Sequence, residues 1–210
     1  MTPNASKNKN LHGNVPDECS VALLLVDVIN DLDFPGNFEL LKEAPRLGRN
    51  IAALKKRCTD SGIPVIYAND NRDKWRSEFS TVVSHCLAPD SPGRILVEKI
   101  IPVPDDYRIL KLKHSAFYAT PLDTLLSYLK TKTVILAGLT TGACVLMTAG
   151  EIYIRDLHLY VPSDCVAALS KKDHHSALRL MKASFDANTT PSKKLHLQRL
   201  LRAKDQRRTG

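Results

Sequence analysis

The chain alternates short apolar runs with amphipathic segments, which is the pattern of a parallel sheet covered by helices on both faces. The first apolar run, from Val21 to Asp27, reads VALLLVD and stays apolar until its last residue. Such a run is typical of a central parallel strand that is buried on both sides. An amphipathic segment after Pro45 predicts a helix, because apolar residues recur at helical spacing: Leu47, Ile51, Leu54 and Cys58.

The rest of the chain repeats this alternation. Further strands are predicted at Ile63 to Asn69, Arg108 to Leu112, Thr133 to Gly138, Leu157 to Ser163 and, as a short sixth strand, Phe185 to Thr189. Helices are predicted to start near Thr120 and Gly142 and to include Ala177. The polar stretch between the second strand and about Asp106 should close over a site or carry short irregular helices. The pattern predicts a three-layer α/β domain.

Length and composition fit one globular domain of 210 residues. The first 19 residues are polar and contain no apolar run of the kind found in signal peptides or membrane anchors. We therefore predict a flexible extension over 1–19, one folded domain over 20–192 and a basic tail over 193–210. The absence of an apolar targeting segment favours a cytoplasmic protein with no membrane association.

The net charge of +8 is concentrated near the end of the chain. Between Thr189 and Gly210, seven basic residues stand against Asp205 alone, and the remaining body is nearly neutral. A short amphipathic run in this segment is typical of a solvated surface helix with a frayed end. The distribution therefore argues against nucleic-acid binding.

The five cysteines are scattered and form no CxxC pair, which argues against a disulfide framework or a zinc cluster. Cys58 and Cys165 are expected to be small buried side chains. Cys144 lies in the segment GLTTGACV at a predicted helix N-terminus, where free N–H groups and the helix dipole favour a thiolate. Its thiol is expected to titrate below the ordinary value of about 8.5, although a buried structural role also fits.

Two further polar residues are predicted at the carboxyl ends of strands, where open α/β sheets bind ligands. Asp27 follows the first strand and Lys111 lies at the end of the third. A lysine ammonium and an aspartate beside Cys144 would suit acyl transfer through a covalent intermediate. Alternatively, Asp27 could cap the next segment and Lys111 could reach solvent.

Three segments together, VALLLVDVIND, LKLKHSAF and VILAGLTTGACV, resemble the signature segments of the isochorismatase-like cysteine hydrolases. This family includes nicotinamidases, carbamoylsarcosine amidohydrolases, and ureidoacrylate and biuret hydrolases. The resemblance spans roughly residues 20–192 and implies that this segment is an isochorismatase-like hydrolase domain. It implies a Rossmann-like fold with a six-stranded parallel sheet of order 3-2-1-4-5-6, and a homo-oligomer, either a dimer or a tetramer.

The resemblance assigns the family's catalytic aspartate to Asp27 and its cysteine to Cys144. The family's lysine stands four positions before the Ser-Ala-Phe element, which begins here at Ser115 and so selects Lys111 rather than Lys113. The family also has a non-proline cis peptide before the cysteine, which implies Leu139–Thr140 here. The resemblance thereby implies an oxyanion hole formed by the backbone N–H groups of Thr140 and Cys144.

Some positions depart from the family pattern. Ile29 and Leu32 stand where the first motif often has Gln and Phe. Arg72 stands where metal-dependent nicotinamidases would have a ligand histidine, so we predict no metal, no cofactor, and a substrate other than nicotinamide. The remaining histidines are expected to be surface or core residues rather than ligands, among them His114, His174 and His175.

The predicted substrate is a small molecule. Its pocket is expected to include four residues near the strand ends: Asn30, Asn71, Trp75 and Phe117. A cysteine nucleophile favours cleavage of an amide or ureide C–N bond through a thioester, with Asp27 as proton acceptor. Two alternatives remain: hydrolysis of an isochorismate-like vinyl ether with Asp27 as general acid, and a catalytically silent binding or scaffold protein.

Overall fold

The computed structural model describes residues 18–71 and 77–202. Within them a parallel sheet forms from six strands. These are β1 (Val21–Val26), β2 (Val65–Asp70), β3 (Tyr107–Lys111), β4 (Thr133–Leu139), β5 (His158–Tyr160) and β6 (Val166–Ala167). The sheet order is β3-β2-β1-β4-β5, with β6 paired to β4. The predicted α/β fold with a six-stranded parallel sheet is confirmed.

Helices cover both faces of this sheet. They are α1 (Phe38–Asp60), α2 (Phe79–Cys86), α3 (Arg94–Val97), α4 (Leu122–Tyr128), α5 (Cys144–Tyr153), α6 (Lys171–Ser184) and α7 (Leu197–Arg202). Alternate residues of β1 enter different cores, Leu23 and Leu25 one of them and Leu24 and Val26 the other. Because both faces of β1 are buried, its sequence is apolar throughout.

The sixth strand was predicted in the wrong place. Strand β5 has only three residues and pairs with the first half of β4, up to Ile135. Pro162 follows shortly after β5 and has no N–H to continue a ladder. The free second half of β4 pairs instead with Val166–Ala167. The predicted segment at 185–189 contributes one isolated bridge, from Asn188 to Tyr160 beside β5.

Helix α1 begins earlier than predicted. Pro45 was interpreted as preceding the helix, but α1 starts at Phe38 and contains Pro45 in its interior. The buried stripe includes Leu40 and Ala44 before the proline, so apolar burial along the whole helix outweighs the hydrogen bond that Pro45 cannot donate.

Strands β1 and β4 approach each other closely beside the candidate site. Gly138 pairs with Val26, the residue before Asp27. Gly138 has φ +133°, and a Cβ atom there would lie 1.9 Å from the carbonyl oxygen of Val26. Only glycine accommodates this conformation and this contact. The carboxyl ends of β1 and β4, with the residues that follow them, are thereby brought together.

Part of the basic tail packs against helix α1. Leu195 and Leu197 are buried in the same core as α1. The Arg57 guanidinium donates to the carbonyl oxygens of Ser192 and Leu195 at 2.7 and 2.5 Å. The segment from 193 to 202 is therefore held by buried apolar contacts as well as by hydrogen bonds. No helix among the described residues has both the length and the apolar character needed to cross a bilayer.

Truncation after Ser192 should reduce the stability of the protein without abolishing its catalytic turnover. Loss of buried Leu195 and Leu197 should lower the free energy of unfolding by about 3–5 kcal/mol, measured by urea denaturation. Turnover per folded molecule should be retained, because the candidate site lies before this segment. Truncation after Arg202 is the matched control, since it keeps both leucines. A Ser192 truncation that folds but has no turnover would contradict this placement of the site.

Candidate active site

The structure brings Asp27, Lys111 and Cys144 together at the carboxyl edge of the sheet. Asp27 follows β1, Lys111 ends β3 and Cys144 is the first residue of α5. The Lys111 Nζ atom lies 2.8 Å from Asp27 Oδ2 and 3.7 Å from Cys144 Sγ. Three residues from distant parts of the sequence thus form one contact cluster.

Lys111 does not reach solvent. Its side chain is fully buried, unlike the solvated lysine that its place near a strand end also allowed. Besides Asp27, its ammonium donates to the carbonyl oxygen of Lys113 at 3.1 Å, and it lies 4.0 Å from an oxygen of Asp70. A buried ammonium with this set of acceptors is an internal counter-charge rather than a surface group.

Asp27 is held by both of its oxygens. Its Oδ2 atom forms the ion pair with Lys111, and its Oδ1 atom accepts a hydrogen bond from the backbone N–H of Asp70 at 2.7 Å. Its backbone is left-handed, with φ +52°, a conformation that Asp tolerates better than most residues. Burial raises the pKa of the Asp27 carboxyl, against the opposing effect of Lys111. A carboxylate with a raised pKa is a stronger proton acceptor.

Cys144 is the least buried of the five cysteines, since Cys19, Cys58, Cys86 and Cys165 are all buried. Desolvation and the neighbouring Asp27 raise the pKa of its thiol to about 12, although Lys111 acts to lower it. The expectation of a thiol pKa below 8.5 was therefore wrong for the resting site. Burial and the carboxylate outweigh the helix N-terminus, so the pKa of the Cys144 thiol is raised rather than lowered.

His114 also contacts the cysteine, which sequence reasoning missed. Its Nδ1 atom lies 3.4 Å from Cys144 Sγ, and its side chain is exposed. His114 was expected to be an ordinary surface or core residue. The available signal was its position three residues after Lys111 and directly before Ser115.

The turn before Cys144 has two uncommitted backbone donors. The Leu139–Thr140 peptide is cis, as the family resemblance implied. The carbonyl oxygen of Thr140 accepts hydrogen bonds from the N–H groups of Ala143 and Val145 at 3.1 and 3.2 Å. Within residues 18–71 and 77–202, the N–H groups of Thr140 and Cys144 have no hydrogen-bond acceptor. They remain available for a ligand oxygen.

The predicted pocket residues have different surroundings. The Asn30 side chain accepts the N–H of Leu32 at 2.8 Å, and Asn71 is buried with its N–H bonded to the Lys111 carbonyl. Phe117 is buried in the core, with the Arg155 guanidinium 4.3 Å from its ring centroid. Packing accounts for Phe117 without a ligand. Trp75 lies outside the described residues, so its pocket role stays a prediction.

The structure shows where the two residues that depart from the first family motif lie. Ile29 and Leu32 are both buried in the core on the α1 side of the sheet. Asn69 holds the backbone of Ile29 in both directions, accepting its N–H at 3.1 Å and donating to its carbonyl at 2.6 Å. These contacts fix the path of the chain immediately after Asp27.

No group of three or more potential metal ligands occurs in the part of the chain that the structure describes. His85 pairs with the buried carboxylate of Asp31 at 2.9 Å, and His174 lies 3.1 Å from the hydroxyl of Thr141. Burial, then His175 and Arg46, lower the pKa of His174. These histidines are accounted for by protein contacts.

Comparison with known proteins gives a consistent set of similarities. An isochorismatase domain model matches residues 21–192. YaaI of Bacillus subtilis (strain 168), an uncharacterized isochorismatase family protein, is 34% identical over 174 residues, covering 83% of this chain and 95% of YaaI. A protein named isochorismatase from the same organism is 28% identical over 169 residues, covering 78% of this chain and 53% of that protein.

A solved structure shares the fold. The crystal structure of N-carbamoylsarcosine amidase from Thermoplasma acidophilum matches with a TM-score of 0.64 and 25% identity, covering 84% of this chain and 99% of that chain. These similarities agree with the resemblance carried by the three sequence motifs.

Proposed function

The chain belongs to the isochorismatase family, and from this premise we propose that it hydrolyses a C–N bond of a small amide or ureide through a Cys144 thioester. The observation that carries the proposal is the contact cluster itself. A half-buried thiol lies against a buried lysine that is paired with a carboxylate of raised pKa. These are a nucleophile, a counter-charge and a base.

The first half of the reaction forms the thioester. Asp27 takes the thiol proton while sulfur attacks the substrate carbonyl carbon, and the carbonyl electrons move to oxygen. The N–H groups of Thr140 and Cys144 donate to that oxyanion. When the intermediate collapses, the C–N bond breaks, its electron pair stays on nitrogen, and Asp27 returns the proton to the departing amine or ammonia.

The second half releases the acid. Asp27 accepts a proton from water, whose oxygen attacks the thioester carbon. The C–S bond then breaks, and the proton returns to sulfur to restore the thiol. Lys111 keeps the buried carboxylate paired through both halves, so that the charge on Asp27 is never isolated in the interior.

The similarity to N-carbamoylsarcosine amidase supports an amide or ureide substrate. Vinyl-ether hydrolysis is the second candidate, because the chain is also similar to a protein named isochorismatase. In that reaction Asp27 would protonate the substrate and Cys144 would not form a covalent intermediate. The two candidates therefore differ in whether turnover requires the thiol.

The test is a panel of small primary amides, ureides and isochorismate, with ammonia or product release measured on the purified protein. We expect turnover of an amide or ureide, a mass increase on Cys144 in rapidly quenched samples, and loss of both in Asp27→Asn. Turnover of isochorismate alone, retained in Cys144→Ala, would favour the vinyl-ether reaction. No turnover of any compound would favour a binding protein.

We also predict that turnover does not depend on a divalent metal. The expectation comes from Arg72 in the sequence and from the protein contacts that His85 and His174 already make. Incubation with excess chelator, followed by removal of the chelate, should leave the turnover rate within about twofold, since no metal-polarised step is involved. Loss of activity that zinc, iron or manganese restores would contradict this prediction.

A further inference from the structure

We propose that His114 is a second proton acceptor for Cys144 and forms a thiolate–imidazolium pair with it. The proposal rests on the proposed function only in taking Cys144 as the nucleophile. The observation that supports it is the 3.4 Å distance between His114 Nδ1 and Cys144 Sγ, which is short enough for a hydrogen bond to sulfur.

The two proton acceptors lie in different environments. Asp27 and Lys111 are buried beneath the thiol, whereas His114 is exposed. A substrate must approach from the exposed side, so the imidazole is placed near the bond that breaks. Asp27 hydrogen-bonds the thiol but is also held by Lys111 and by the N–H of Asp70, whereas the described contact of the His114 ring is the one with Cys144.

Charge balance gives the physical reason for a second acceptor. Among described residues, the charged or titratable groups facing Cys144 are Asp27, Lys111 and His114, with Asp70 beyond Lys111. Asp27 and Lys111 neutralise each other, so loss of the thiol proton to solvent would leave one uncompensated negative charge in a partly buried site. Transfer of that proton to His114 creates an imidazolium beside the thiolate and leaves the cluster neutral.

The proton transfer has a defined course. This route is an alternative to proton transfer through Asp27: the S–H bond breaks, its electron pair remains on sulfur, and Nδ1 takes the proton. After sulfur attacks the carbonyl carbon, the same Nδ1–H can protonate the departing nitrogen as the C–N bond breaks, which restores neutral imidazole. No oxidant or other co-reactant is needed.

The test follows alkylation of Cys144 by iodoacetamide between about pH 5 and 10, with peptide mapping to identify the labelled residue. In the unmodified protein the alkylation rate should rise with pH and then level off, because the neutral imidazole takes up the thiol proton. His114→Gln should lose this plateau, with a rate that climbs steadily toward high pH. At pH 7 the His114→Gln variant should be alkylated at least about tenfold more slowly than the unmodified protein.

His196→Gln is the matched control, because it removes another exposed histidine, located on the segment before α7. Its profile should match that of the unmodified protein. If the His114→Gln profile coincides with the unmodified one, or is faster at neutral pH, the pair does not form and the proposal is overturned.

Alkylation requires no substrate, so the two proposals can fail separately. A plateau that His114→Gln removes, in a protein that hydrolyses nothing in the panel, would uphold the pair and count against the proposed function. An unchanged His114→Gln profile, with turnover that Cys144→Ala abolishes, would overturn the pair alone.

Discussion

Replacing Cys144 with Ala should abolish hydrolysis of the amide or ureide substrate while the protein stays folded. Removal of the nucleophile leaves no covalent route, and loss of such a residue can lower turnover by on the order of 10⁵-fold or more. The thiol is only half-buried and the change removes a single sulfur atom, so the folding cost should be about 1 kcal/mol or less. The measurements are steady-state turnover and thermal unfolding of the same preparation.

Cys165→Ala provides the opposite control. Cys165 is fully buried in the core, away from the contact cluster, so its loss should lower stability by about 1 kcal/mol and leave turnover per folded molecule unchanged. Substantial hydrolysis by Cys144→Ala of a substrate that the unmodified protein turns over would exclude the thioester mechanism.

Replacing Lys111 with Met should cost both stability and activity. Methionine fills much of the same buried volume but leaves Asp27 without its ion-pair partner at 2.8 Å. Breaking a buried pair in this way costs about 3–5 kcal/mol. Because Lys111 acts to lower the pKa values of both Asp27 and Cys144, both should rise further in the variant. Turnover should fall by on the order of 100-fold or more.

Lys113→Met is the matched control for Lys111→Met, because it removes a lysine charge at an exposed position two residues away. Lys113 is exposed, and only its backbone carbonyl contacts the Lys111 ammonium, so this variant should retain both stability and activity. The double variant Asp27→Asn with Lys111→Met removes both charges, and should recover much of the lost stability while remaining inactive. Unchanged stability in Lys111→Met alone would mean that the buried pair does not contribute as the structure indicates.

The fold was largely predictable because burial on both faces leaves a continuous apolar pattern. The first strand, read as VALLLVD, matches β1 closely, and the predicted strands at Ile63 and Arg108 match β2 and β3 to within about two residues. The position of the sixth strand was predicted wrongly, because the local sequence pattern does not determine it. Its place depends on how much of β4 the short strand β5 leaves unpaired.

The candidate site was predictable in part, because its backbone positions follow from strand ends. Asp27, Lys111 and Cys144 were selected by position and by family resemblance, and the structure places them in contact. The direction of the Cys144 pKa shift was not predictable. It depends on the desolvation of sulfur and its distance from Asp27, and both are set by packing among segments more than 100 residues apart in sequence.

The amino-acid sequence by itself determined the fold class and the central strand, because periodicity and residue type are local properties, and the family resemblance selected the three residues of the contact cluster. Only the tertiary structure decided that Lys111 is a buried counter-charge, that the pKa of the Cys144 thiol is raised, and that His114 reaches the sulfur. Those outcomes depend on distance and burial. Distances of a few ångströms between remote segments decide whether a charge is paired, solvated or isolated, and no spacing along the chain encodes them.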